Sequence, residues 1–146
     1  MFASLGGGGL ISGIASYLKE INPGVCIIGC SPENSQVMIQ SVKSGKILDL
    51  PSLPTLSEGT AGGVEQGAIT FDICRALVDD YITVNEHEIR QSLLQFLENQ
   101  HMLIEGAAAV AVASYLKTAR NFADKNVVII ICGANIPLEM LKFVLS

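Results

Sequence analysis

Residues 6–9 are four consecutive glycines set between Leu5 and Leu10, and no other feature restricts this chain so sharply. A run without side chains loses much backbone freedom on ordering, and its amides can bend inward around an anion. The residues that follow have helical spacing: Leu10, Ile14 and Leu18 recur at i, i+4 and i+8, with Ile11 and Ala15 beside them. The glycines therefore stand at a helix N-terminus, where unpaired amides and the positive end of the helix dipole favour a phosphate. No Gly-Lys-Ser/Thr follows as in a nucleotide P-loop, and the run does not supply G-x-G-x-x-G in its usual frame. The plainer alternative is a flexible strand-to-helix turn.

Beyond this loop the chain alternates between helical and strand patterns. The first helix is expected to stop at Asn22-Pro23-Gly24. An apolar run over 25–30 reads as a strand buried on both faces, as in a parallel sheet. A helix over about 35–43, closed by Gly45, comes next. Residues 47–67, punctuated by Pro51, Pro54 and several glycines, read as a long irregular loop of the functional or mobile kind. Thr70 is expected to cap a helix carrying Phe71, Cys74, Leu77 and Val78 on one face. After a short β-branched strand over 81–84, Asn85 and Glu88 have capping-box spacing before a helix that buries Ile89, Leu93, Phe96 and Leu97. A small-residue helix follows Glu105, and 126–131 is the plainest buried strand, delivering Cys132-Gly133-Ala134-Asn135 at its carboxyl end, where open α/β sheets bind ligands. Pro137 opens the last helix.

The expected fold is thus α/β, an open and mostly parallel sheet with helices on both faces. A length of 146 residues suits about one domain. A mean hydropathy of +0.45 is high for a domain standing alone, yet charged residues punctuate every long apolar run, so no membrane span is expected. The short, uncharged start before the glycines does not have the form of a signal peptide, and a cytoplasmic location is expected. Net charge is −5 and the nine basic residues are scattered, which argues against a nucleic-acid surface. Cys26, Cys30, Cys74 and Cys132 match neither C-x-x-C nor zinc spacing and read as small buried hydrophobes. His87 and His101 have no partner at ligand spacing and read as surface residues.

Six segments, GGGGLISGIA, GCSPENSQVM, SEGTAGGVE, DDYITV, LIEGAAAVAVA and ICGAN, in this order and at these distances, resemble the C-terminal part of the serine/threonine dehydratases, pyridoxal-phosphate enzymes of fold type II. The resemblance implies that Gly6, Gly7, Gly8 and Gly9 hold the cofactor phosphate, that Gly59 lies against its ring, and that Glu105 lines the pyridine side of the site. Glu58 stands where the family usually has Asp. Cys132 matches the Ser or Cys that meets the pyridine nitrogen. A thiol there, unlike a carboxylate, does not keep that nitrogen protonated, which favours prompt loss of a β-hydroxyl over transamination.

The family's Schiff-base lysine and its asparagine-bearing substrate loop lie well before the tetraglycine loop, and the six lysines here fall outside any matching motif. The resemblance therefore implies a truncated C-terminal part, residues 1–146, of the cofactor-binding catalytic domain. It contains no catalytic residue of its own and is expected to be inert alone, though derived from an L-threonine/L-serine ammonia-lyase. Its substrate would be a small amino acid, and the bare apolar surface of a partial domain would favour a homo-oligomer. Ser31 and Val37 fall where some members bind a divalent cation, so no metal is expected, and Glu33 alone makes a poor site. An amino-acid racemase, a β-replacement synthase and a non-enzymatic phosphate-ligand or subunit-binding module remain open as alternatives.

Overall fold

A computed structural model describes the whole chain, residues 1–146. Three strands, β1 (Phe2–Ser4), β2 (Ile28–Pro32) and β3 (Asp80–Val84), form a parallel sheet in the order β1-β2-β3. Parallel strands need crossovers, and helices supply them: α1 (Gly9–Ile21) joins β1 to β2, while α2 (Val37–Ser44) and α3 (Ile69–Leu77) lie between β2 and β3. After β3 come α4 (Glu86–Gln100), α5 (Gly106–Thr118) and α6 (Leu138–Leu145).

Alternation along the strands divides the core between the two sheet faces. Phe2, Ile28, Cys30 and Val84 pack with Ile89 and Leu93 of α4, the alanines of α5 and Val144 of α6. Ala3, Leu5 and Ile27 pack on the other side with Ile11 and Ala15 of α1, Met38 and Ile39 of α2, and Phe71 and Cys74 of α3. The strands are accordingly apolar on both faces, as expected for a sheet covered by helices twice over. No helix is long and apolar enough to cross a membrane.

Several local expectations change. β1 is a strand that the short segment before the glycines does not announce. α1 turns Ile11, Ser12 and Ala15 inward and leaves Leu10 exposed, so its buried stripe is rotated one residue from the Leu10, Ile14 and Leu18 series. Thr70 lies inside α3, which begins after Ala68, and its hydroxyl donates to the Gly7 carbonyl at 2.7 Å. Segment 126–131 is a single parallel bridge, Phe2 to Ile129, rather than a buried strand. Phe2 N–H donates to Val128 O and Ile130 N–H to Phe2 O, but the opposite edge has no partner, so Val128 and Ile131 are exposed. Cys30 and Cys74 are buried as expected, whereas Cys26 and Cys132 are exposed.

Other features follow the local chemistry. α1 stops at Ile21, Gly45 closes α2 in the left-handed region at φ 76°, and Asn85 with Glu88 forms a full capping box on α4. Residues 47–67 are irregular apart from one 3-10 turn, Glu58–Thr60. Two groups clamp that loop to the end of β2: Asn34 Nδ2 donates to Pro54 O, and Ser35 Oγ pairs with Ser52 Oγ at 2.7 Å. His87 and His101 are at the surface.

Candidate functional site

β1 ends at Ser4 and the chain turns through the glycines directly into α1. The N–H groups of residues 6–11 have no acceptor within the protein; the first bonded amide beyond them is Ser12 N–H, which donates to Gly8 O at 2.9 Å. Six successive free donors at a helix N-terminus form an anion cradle. The first turn of α1 has no acidic side chain to occupy it.

The four glycines are glycine for different reasons. A Cβ on Gly6 would sit 2.8 Å from the Thr60 carbonyl oxygen. Gly8 has φ +86° and is surrounded by Met38 Cε, Cys74 Sγ and Thr70 Cβ at 3.0–3.1 Å from the place a Cβ would take. At Gly7 and Gly9 nothing in the protein lies within 4 Å of that place, and neither has a positive φ. The fold does not explain why these two positions are bare, whereas a ligand laid against the loop does.

The loop walls a cavity of about 190 Å³. Gly6, Gly7, Gly8, Gly9, Gly59, Glu105 and Cys132 all line it, joined by Ser4, Leu10, Thr60 and Ala107. Residues more than 120 positions apart meet there because β1, the starts of α1 and α5, the 3-10 turn and the segment after the Phe2–Ile129 bridge all end at one edge of the sheet. Gly59 arrives on the 3-10 turn, held by Thr60 N–H donating to Ser57 O and by the Ser57 and Thr60 hydroxyls at 2.6 Å. Leu56 N–H, just before that turn, donates to Glu86 Oε2 at 2.7 Å.

Glu105 is the N-cap residue of α5, and its N–H donates to Gly133 O at 3.1 Å. Its carboxylate accepts from Asn135 N–H at 3.3 Å and lies over Gly133, where a Cβ would collide with it. The segment after 126–131 is thereby folded against the start of α5, with Cys132 facing the cavity. Cys132 Sγ is 3.3 Å from Ser4 Oγ. On its far side Glu105 borders a second cavity of about 240 Å³, lined also by Glu58, Asn135 and Met140. No lysine lines either cavity. Glu33 is 4.0 Å from Lys117 Nζ, which also contacts Glu88 at 3.1 Å.

Ser4, Thr60 and Ala107 enter the site without belonging to the expected set. For Thr60 the signal was at hand, since it follows Gly59 directly. Ser4 carries no such signal, because it belongs to no motif of its own.

A family model described as pyridoxal-phosphate dependent enzyme matches residues 1–133. An L-threonine ammonia-lyase from Thermotoga maritima is 38% identical over 97% of this chain, and a catabolic L-threonine dehydratase from Escherichia coli is 40% identical over 92%. The chain spans 35% and 41% of the length of these two curated relatives. Among solved structures, a processed threonine deaminase isoform from Solanum lycopersicum superposes with a TM-score of 0.88 at 31% identity, covering 98% of this chain and 42% of that one. A maize serine racemase superposes with a TM-score of 0.86, also at 31% identity, over 98% of this chain and 45% of its own.

Proposed function

This chain belongs to the pyridoxal-phosphate dependent enzyme family, and from that premise we propose that its glycine-walled cavity is the cofactor-phosphate and ring-wall part of an L-threonine/L-serine ammonia-lyase. The observation that carries the reading is the convergence of the seven family-matched residues on one cavity edged by six unpaired amides. The relatives at 38% and 40% identity support threonine as a substrate class.

The residues fit the cofactor. Its phosphate is a dianion, and the cradle offers free N–H donors with bare Cα atoms at Gly7 and Gly9. Its ring is flat with one nitrogen, and the cavity supplies Gly59 and Ala107 as walls and a thiol as a polar contact. When bound, pyridoxal phosphate supplies the electron-withdrawing ring that takes up charge from the substrate's α-carbon. The amides of residues 6–11 would grip the phosphate, Cys132 would meet the ring nitrogen through sulfur, and Glu105, held by Asn135 N–H, would form the wall beside it. Thr70, donating to the Gly7 carbonyl, would hold the glycine loop in place.

The domain reading follows. With no lysine on the cavity wall, residues 1–146 represent the C-terminal part of a catalytic domain whose covalent lysine belongs to upstream sequence. The exposed edge of 126–131, with Val128 and Ile131 bare, supports packing against further polypeptide or a second subunit of a cytoplasmic enzyme. A racemase is the second reading, favoured by the likeness to the maize serine racemase.

The test joins this chain to the upstream segment of the Thermotoga maritima relative, adds pyridoxal phosphate, and follows 2-oxo acid and ammonia from L-threonine and L-serine together with D-serine from L-serine. The reading expects 2-oxo acid and ammonia from the joined protein and none from the chain alone. D-serine as the main product establishes the racemase. A joined protein that folds yet never binds the cofactor establishes the non-enzymatic module.

A further inference from the structure

Ser4 belongs to none of the motifs that point to the cofactor, yet it lines the same cavity and is 6% exposed. Its Oγ is 3.3 Å from Cys132 Sγ, and neither atom has another hydrogen-bond partner in the protein. The pair is held by backbone. Phe2 and Ile130 are tied by the bond from Ile130 N–H to Phe2 O at 2.9 Å, and each side chain stands two residues beyond that tie.

The direction of the Ser4 to Cys132 bond follows from counting protons. A buried hydroxyl carries one strong donor and is costly when left without an acceptor. The Cys132 sulfur is the one protein atom paired with Ser4 Oγ, and sulfur donates the more weakly of the two, which favours the hydroxyl as the donor. A thiol has a single, weakly donating proton. With the sulfur already accepting from Ser4, that proton is left free toward the open side, and Cys132 is exposed there.

We infer that Ser4 is a positioning residue: its hydroxyl donates to the Cys132 sulfur and turns the thiol proton toward the ring nitrogen of a phosphorylated pyridine bound in the cavity. The inference rests on the cofactor reading above and adds the group that orients its polar contact. Without the hydroxyl the thiol rotates freely and its sulfur loses the one donor it meets in the protein.

The experiment uses the full chain in a Cys26→Ser background, which leaves Cys132 as the single exposed thiol. Reaction of Cys132 with a neutral aromatic disulfide slows roughly threefold to tenfold in Ser4→Ala, the worth of one hydrogen bond to sulfur, and keeps its rate in Ser4→Thr. Pyridoxine 5′-phosphate, which lacks the aldehyde and so forms no lysine adduct, binds Ser4→Ala more weakly by a similar factor and Ser4→Thr normally. Inorganic phosphate binds all three alike, because it meets only the glycine cradle. Intact binding of both probes with Ser4→Ala unchanged in thiol rate and affinity overturns the role of Ser4 alone. A parent chain that binds neither probe overturns the cofactor reading and, with it, the ring-nitrogen role.

Discussion

Replacing Gly7 by alanine separates the fold's need for the glycine loop from the ligand's. At Gly8 the two coincide: alanine there must adopt φ +86°, costing about 1–2 kcal/mol, and must push aside Met38, Cys74 and Thr70 atoms 3.0–3.1 Å away. Overpacking of that kind adds about 1–3 kcal/mol, so Gly8→Ala loses roughly 2–5 kcal/mol of stability. At Gly7 neither term applies, since its φ is not positive and nothing lies within 4 Å of the new methyl group. Gly7→Ala therefore stays within about 0.5 kcal/mol of the parent. It nevertheless puts a carbon on the cradle wall. A charge-assisted hydrogen bond lost to that carbon is worth about 1.5–3 kcal/mol, which weakens pyridoxine 5′-phosphate binding by roughly tenfold to a hundredfold. Urea midpoints give the first quantity and titration calorimetry the second. If Gly7→Ala unfolds as readily as Gly8→Ala, or binds the phosphate as the parent does, the division of labour within the loop is wrong.

Gly106→Ala should be the most damaging conservative change outside the loop, because its Cβ would occupy the Leu56 carbonyl and push the turn bearing Gly59 out of the site. A loss of about 3 kcal/mol or more in the urea midpoint is expected. Burial drives the Cys30 thiol up to about 12 and the Cys74 thiol up to about 11, so at neutral pH a thiol reagent should modify two of the four cysteines quickly, Cys26 and Cys132, as read by peptide mapping. Asp79 feels an opposing burial cost, but hydrogen bonds from Lys19 and Ile27 N–H, with the Lys19 charge, outweigh it and hold the carboxyl below its ordinary value. A depressed carboxyl stabilises the fold above its unfolded value of about 3.9 and loses that contribution as pH falls through the folded one. Asp79→Asn should therefore lower stability at pH 7 and flatten its decline on acidification, measured by urea midpoints across pH.

What the sequence discloses is mostly local. Helix ends are legible where a residue type has one mechanical use, as at Asn85 with Glu88 or at Gly45, and so is the alternation that builds a parallel sheet. The glycine loop is legible from its own chemistry, whereas Gly59, Glu105 and Cys132 join it in sequence through the resemblance to the serine/threonine dehydratases, and the fold brings all of them to one cavity. The misreadings concern relations between distant segments. Three residues of β1 carry no periodicity, and their strand character comes from pairing with β2 and 126–131. Five successive apolar residues over 127–131 imply burial on both faces, but an edge partnered on one side leaves Val128 and Ile131 bare. Thr70 has the chemistry of a cap and instead reaches across to the Gly7 carbonyl. Ser4 is silent in sequence because its meaning depends on a thiol 128 positions away.

The central claim is that the free amides of residues 6–11 receive a phosphate while Cys132 faces the attached ring. Amide chemical shifts recorded as pyridoxine 5′-phosphate is added test it at each position. The account predicts the largest movements at the amides of Gly7, Gly9 and Leu10, with Cys132 and Gly59 following, and movement at the glycines alone when inorganic phosphate is used. Shifts confined to residues outside this cavity, or a glycine loop that does not respond to either ligand, would contradict it.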